Sequence, residues 1–142
     1  MHRTAALLLL FAVSPPSIAA VSAISHGQSL VATCQAAMAN LQPEPDAAAV
    51  ANQGDAFVCL AYVAGVMSAA QQANDLARLR FAVATGGQAT AKPFKLYCFD
   101  WEMSYGHVAR LIIDYAKRHP QQLRRPAGEL ALRALQSAFP CS

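Results

Sequence analysis

The sequence predicts an all-α fold: a compact bundle of four main helices stapled by two disulfides. Three observations carry that expectation. Apolar residues recur at helical spacing in four separate stretches, prolines and glycines punctuate the chain between them, and the cysteines number four. With 55% hydrophobic and only 13% charged residues, the chain of 142 residues is not a disordered one. The alanine-rich stretches favour helix over strand.

Residues 1–23 read as a secretory signal peptide. His2 and Arg3 form a short positive start, and Ala5 to Val13 is an uninterrupted apolar run. Ser14-Pro15-Pro16 then breaks any helix, and Ser17-Ile18-Ala19 and Val21-Ser22-Ala23 are small-residue cleavage tripeptides. The apolar run is too short to span a bilayer. The expectation is a cleaved, exported protein whose remaining residues 24–142 form a single helical domain with no stable membrane insertion. Loss of Arg3 takes the formal charge from +3 to +2. No Lys/Arg cluster is dense enough for a nucleic-acid stripe, so no nucleic acid is expected as a partner.

The first helix is expected from Gln28 to Leu41, on the spacing of Leu30, Cys34, Ala37, Met38 and Leu41. Pro43 and Pro45 exclude its continuation. A long second helix follows, with Asp55 as N-cap and a body from Ala56 to Arg80. Phe57, Leu60, Ala61, Ala64, Val66 and Met67 leave little polar surface in its first turns, which predicts a central position. Ala61, Gly65 and Ala69 sit four residues apart and predict close approach of a neighbouring helix, offsetting the helix cost of the glycine. Thr85-Gly86-Gly87-Gln88 is a loop signal.

Ser104 is the expected N-cap of a third helix, Tyr105 to His119, with Val108, Leu111, Ile112 and Tyr115 as its inner stripe. Asp114 and Arg118 stand at i, i+4 for an ion pair, and Pro120 stops the helix. Pro126 opens a fourth helix as its first residue. Leu130, Ala131, Ala134, Leu135 and Ala138 form the inner face, and Pro140 ends it.

Export makes two disulfides the expected state of Cys34, Cys59, Cys98 and Cys141. The spacings of 25, 39 and 43 residues match no zinc motif, so no metal is expected. In an antiparallel hairpin the start of one helix lies beside the end of the next. Cys98 precedes the third helix and Cys141 follows the fourth, while Cys34 and Cys59 flank the loop between the first two. Cys34–Cys59 with Cys98–Cys141 is therefore preferred among three connectivities. In the chain-entropy model such loops are worth about 3.5 and 4 kcal/mol.

Catalysis finds little support. A hydrolytic histidine needs a nucleophile and an orienting acid beside it. His107, three residues after Ser104, is better read as a first-turn residue behind an N-cap, and His119 as the end of its helix, where the dipole favours a cation. Asp100 and Glu102 beside Trp101 read as a solvated helix entry. G-x-S-x-G, H-E-x-x-H and glycine-rich phosphate loops are absent from the sequence. The expectation is a non-enzyme with no cofactor.

Three stretches carry a resemblance. Phe57-Val58-Cys59-Leu60-Ala61-Tyr62-Val63-Ala64-Gly65 holds a Cys-x-x-Tyr-x-x-Gly helix. Tyr97-Cys98 is followed by Met103-Ser104 and by Arg110 to His119-Pro120. Pro126-Ala127 leads to Ala134-Leu135-Gln136-Ser137-Ala138-Phe139-Pro140-Cys141. In order and spacing these resemble the Rap/Tai family of type VI secretion immunity proteins, whose final helix starts Pro-Ala and ends Ala-Phe-Pro-Cys. Leu30-x-x-x-Cys34 also has a counterpart. Phe99-Asp100-Trp101 stands where that family usually has a proline, and the region of Leu123-Arg124-Arg125 lacks a histidine common there. The resemblance implies a periplasmic helical protein that occludes a secreted peptidoglycan amidase by binding alone. Its partner is then a secreted amidase toxin, with a homodimer left open. The partner face is sought on Gln42 to Gln53, on Arg80 to Lys95, or near Arg124 and Arg125. The competing expectation is a small periplasmic chaperone of the acid-stress type, which exposes an apolar face at low pH.

Overall fold

A computed structural model describes residues 24–42, 53–87, 95, 97–98, 100 and 102–141. The signal peptide expected over residues 1–23 lies outside the described residues, as do most of the 42–53 connection and residues 88–94. Among the described residues the elements are α1 (Gly27–Asn40), α2 (Gln53–Ala84), α3 (Tyr105–Arg118), a 3-10 turn (Pro120–Arg124) and α4 (Ala127–Ala138). They form one hydrophobic core, and the expected all-α architecture of four helices and two disulfides is the one observed.

α1 packs on all three other helices and buries Leu30, Cys34 and Ala37 completely. Its start is built by close approach. Gly27 donates its N–H to the Arg125 carbonyl at 2.8 Å, and Ala127 donates to the Ser25 carbonyl at 3.0 Å. A Cβ at Gly27 would stand 2.8 Å from Leu130 Cδ2 and 2.9 Å from the Gln122 carbonyl oxygen, so only glycine fits. These bonds fasten the beginning of α1 to the beginning of α4.

α2 differs most from its expected form. It starts at Gln53, so Asp55 lies inside the first turn, where its negative charge faces the positive end of the helix dipole. It then runs past Arg80 to Ala84, because the sequence offers no terminator before the paired glycines. Gly86 and Gly87 have φ of 58° and 77°. Gly87 donates to the Ala82 carbonyl at 2.9 Å and Gly86 to the Val83 carbonyl at 3.3 Å, which closes the helix in a Schellman motif. At 32 residues α2 is about 48 Å long, more than twice the length of α1 or α3. By length and composition alone it could cross a membrane. Its inner side, however, packs into the core through Ala56, Cys59, Val63, Met67 and Ala70, and Cys59 is bonded to Cys34.

The small-residue stripe does not receive a helix. Ala61, Gly65 and Ala69 are exposed, and a Cβ at Gly65 would meet nothing within 4 Å. Phe57, expected to be central, is 74% exposed. The core instead takes the opposite side of the helix, where Cys59 must reach Cys34, and that bond fixes the rotation of α2.

α3 begins as expected: the Ser104 hydroxyl accepts the His107 N–H at 3.3 Å. Its buried residues are Val108, Ala109, Ile112, Ile113, Tyr115 and Ala116, while Leu111 is half-buried, so the inner stripe is turned slightly from the expected one. Asp114 pairs with Lys117 at 3.4 Å, and Arg118 donates instead to the Asp114 backbone carbonyl at 3.2 Å. In α4 Pro126 is the cap residue rather than the first helical one. Leu130, Ala131, Ala134 and Leu135 are buried as expected, but Ala138 is exposed. Glu129 and Arg133 form an ion pair at 2.9 Å on the outside.

Candidate functional site

The expected cysteine pairing is the one present. Cys34–Cys59 joins α1 to α2, and Cys98–Cys141 joins the approach to α3 with the end of α4. Both sulfurs of the first pair belong to wholly buried residues. In the second, Cys98 is half-buried and Cys141 exposed.

His26 Nδ1 lies 2.8 Å from the hydroxyl of its neighbour Ser25, both residues exposed, and no carboxylate hydrogen-bonds to that ring among the described residues. The His107 backbone is occupied by the Ser104 cap, and its side chain is exposed. The His119 ring lies against Tyr115, with centroids 4.3 Å apart, at the far end of α3. The Asp100 carboxylate accepts the Glu102 N–H at 2.9 Å, a turn interaction that absorbs it into the helix entry. Among the described residues, no three His, Cys, Asp or Glu side chains gather as metal ligands would.

What the fold does present is surface. The outer side of α2 displays Phe57, Ala61 and Gly65 in its first half and Leu76, Leu79 and Val83 in its second. Large apolar side chains more than half exposed on one helix side mark an interaction surface more readily than scattered ones do. The sequence contained this signal: Leu76, Leu79 and Val83 repeat at three and four residues, as the inner residues do. Two apolar stripes on one helix could not be ranked without knowing where Cys34 stands.

Between α1 and α3 a groove of about 350 Å³ has Met38 and Ile113 in its floor and Arg110, Asp114 and Lys117 along its α3 rim. A smaller polar recess of about 210 Å³ lies on α2 beside Asn74, Asp75 and Arg78 and is closed by Lys95 and Tyr97. Here Asn74 acts as a backbone mimic. Its Nδ2 donates to the Tyr97 carbonyl at 2.7 Å, and its Oδ1 accepts the Tyr97 N–H at 3.1 Å. A nine-tenths buried asparagine is thereby satisfied, and Tyr97 is pinned beside Cys98.

Arg124 and Arg125 end the 3-10 turn, both exposed, and neither forms an ion pair among the described residues. The backbone beneath them is rigid, because the Arg125 carbonyl holds the first N–H of α1. Of the two connections considered for a partner face, residues 80–84 are helical and 85–87 form the turn after α2. The remainder, apart from Gln42, Gln53 and Lys95, lies outside the described residues.

The described residues thus form a stapled scaffold that presents an exposed apolar helix side and a polar recess on α2. The family model for Rap1a immunity proteins matches residues 26–141. The chain belongs to the Rap1a immunity protein family. No curated protein and no solved structure matches it. The match in this Rap1a-family protein starts at His26, the residue before α1, and ends at Cys141. It thus spans the four helices and both disulfides, and the residues that carried the resemblance are scaffold. Cys59 is in the core, Ser104 is a cap, and Tyr62 of the Cys-x-x-Tyr-x-x-Gly stretch reaches α4, its hydroxyl lying 3.6 Å from where a Gly128 Cβ would be. Membership implies an immunity protein for a secreted effector.

Proposed function

We propose that this protein is a periplasmic immunity protein that binds a secreted peptidoglycan amidase of a type VI secretion system and blocks its active-site cleft without chemistry of its own. The single observation behind the reading is the family match over residues 26–141. Supporting it are two disulfides, which suit an oxidising compartment. A disulfide-tied helical scaffold also loses little freedom on binding, which favours tight inhibition. The exposed corner at Arg124 and Arg125 and the outer side of α2 are the surfaces we assign to protein contacts. The apolar outer side of α2 also supports self-association as a homodimer. Sedimentation across a range of concentrations reads that directly, and a monomer throughout excludes it.

The test is co-expression of the exported protein with a candidate amidase directed to the periplasm. Growth without lysis, together with a stoichiometric complex recovered by size exclusion, is the expected result. Continued lysis with a folded, oxidised protein present rejects that amidase as the partner. The same apolar surface favours a second reading, a small helical chaperone. A hydrophobic dye followed through an acid titration separates the two: a chaperone of the acid-stress type gains dye binding as pH falls, and an occluding inhibitor does not.

A further inference from the structure

The two disulfides differ in access. Thiol–disulfide exchange requires a thiolate to reach a sulfur along the S–S axis, so burial protects the bond and exposure does not. Cys34 and Cys59 are both 0% exposed, between α1 and α2 in the core. Cys141 is exposed, beyond the last residue of α4. The buried residues of α4, Leu130, Ala131, Ala134 and Leu135, all lie upstream of the outer bond.

The partner side of the outer bond is held independently. Tyr97, next to Cys98, is fixed to α2 by two hydrogen bonds with Asn74, accepting one at its carbonyl and donating the other from its N–H. At the end of α4 the Phe139 N–H donates to the Leu135 carbonyl at 2.9 Å, and beyond Phe139 the described chain is Pro140 and Cys141. Cys141 Sγ lies 3.5 Å from the carbonyl oxygen of Lys95, a residue that lines the polar recess on α2 together with Tyr97 and Cys98.

We propose that Cys98–Cys141 is a reducible latch that ties the C-terminal residues to Lys95, Tyr97 and Cys98 at the edge of the α2 recess, while Cys34–Cys59 is a permanent staple. The reductant is a dithiol. Its thiolate attacks Cys141 Sγ, forming a mixed disulfide and releasing Cys98 as a thiolate that takes up a proton. The second thiol of the reductant then attacks its own bonded sulfur, closes its ring disulfide and releases Cys141, which is protonated in turn. Two electrons and two protons pass to the protein. The bundle stays folded, Tyr97 stays on Asn74, and the chain after Phe139 separates from Lys95 and Cys98. This device is independent of which partner the protein binds.

The experiment uses the oxidised full-length mature protein and dithiothreitol as reductant. Aliquots are titrated, alkylated with iodoacetamide and peptide-mapped, with far-UV circular dichroism and hydrogen exchange on the same samples. Cys98 and Cys141 should be alkylated at a reductant concentration at least about tenfold below that required for Cys34 and Cys59. Helicity should be unchanged at that point. Exchange should rise in the C-terminal peptide, while the Tyr97 amide keeps its protection. The paired variant C98S/C141S should show the same exchange pattern without reductant. Simultaneous opening of both bonds, earlier opening of Cys34–Cys59, or unchanged exchange after selective reduction would overturn the latch. Loss of helicity on opening Cys98–Cys141, or a C98S/C141S variant that does not fold, would show the bond to be structural and overturn it equally.

Discussion

The two halves of α2 are similarly apolar in sequence and meet opposite fates. From Ala56 to Asn74 one side of the helix is buried at every turn, by Ala56, Cys59, Val63, Met67, Ala70 and Asn74. From Asp75 to Ala84 no residue is fully buried, and Leu76, Leu79 and Val83 are more than half exposed. The difference is one of reach. α1 and α3 are 14 residues each, about 21 Å, and cannot flank a 48 Å helix along its whole length. Apolar residues are buried where another element stands opposite them, and here Asn74 marks the boundary. Its two bonds to Tyr97 are the last side-chain tie between α2 and the rest of the described chain.

The sharpest way to break this comparison is to truncate one apolar side chain in each half. Met67 is 4% exposed, and Met67→Ala is expected to cost about 2–5 kcal/mol through lost burial and a cavity. Leu79 is 60% exposed, and Leu79→Ala is expected to stay within about 0.5 kcal/mol. Urea unfolding of the oxidised proteins reads both. Equal costs would mean that the second half of α2 is covered in solution, by a second copy or another partner.

At the boundary, Asn74→Ala removes both bonds to Tyr97 and leaves a backbone N–H and carbonyl to find water. The expected cost is about 1–3 kcal/mol, with loss of exchange protection at the Tyr97 amide. Asn74→Asp restores the acceptor but not the donor, so it should recover the amide protection only. Beyond the boundary, Gly87→Ala places a side chain at φ of 77° and should cost about 1–2 kcal/mol. Because the second half of α2 has little tertiary support, that loss should appear as fraying after Asp75 in hydrogen exchange. A shift of the whole unfolding transition would instead couple the projecting half to the core.

These contrasts also explain what the sequence made legible. Helix identity was readable, because periodicity and stop signals are local: Pro120, Pro140 and Gly86-Gly87 end helices where their backbone chemistry requires it. The cysteine pairing was readable because hairpin geometry brings helix ends together. The orientation of α2 was not. Phe57, Ala61 and Gly65 form as good an apolar stripe as Cys59, Val63 and Met67, and only the distant partner Cys34 decides which faces inward. The length of α2 was underestimated because Asp55 suits both a cap and a first turn, and because Arg80 and the residues after it offer no terminator. Of the surfaces proposed for binding, Arg124 and Arg125 were named from the sequence, and both are exposed. The outer side of α2 was not, since exposure of an apolar stripe is a property of what fails to stand opposite it.

The smallest expected effect tests the inner half of α2 from its solvent edge. Tyr62 is half-buried on the helix, with its hydroxyl directed at α4 near Gly128. Burial disfavours the phenolate and raises the Tyr62 pKa above the ordinary 10.0. The folded state therefore holds this proton more tightly than the unfolded state does. The associated stability is fully present below pH 10.0 and is lost as pH rises through the higher folded value. Tyr62→Phe keeps the ring and removes the ionisation. Unfolding midpoints of the wild-type and variant proteins should then run parallel near about pH 8 and diverge above the ordinary tyrosine range, with the wild type falling faster. Tyr97, Tyr105 and Tyr115 are common to both proteins and cancel in the difference. Parallel curves through the alkaline range would show that water reaches the Tyr62 hydroxyl freely, and that the α2–α4 contact opens more readily than the burial of Val63, one residue further on, implies.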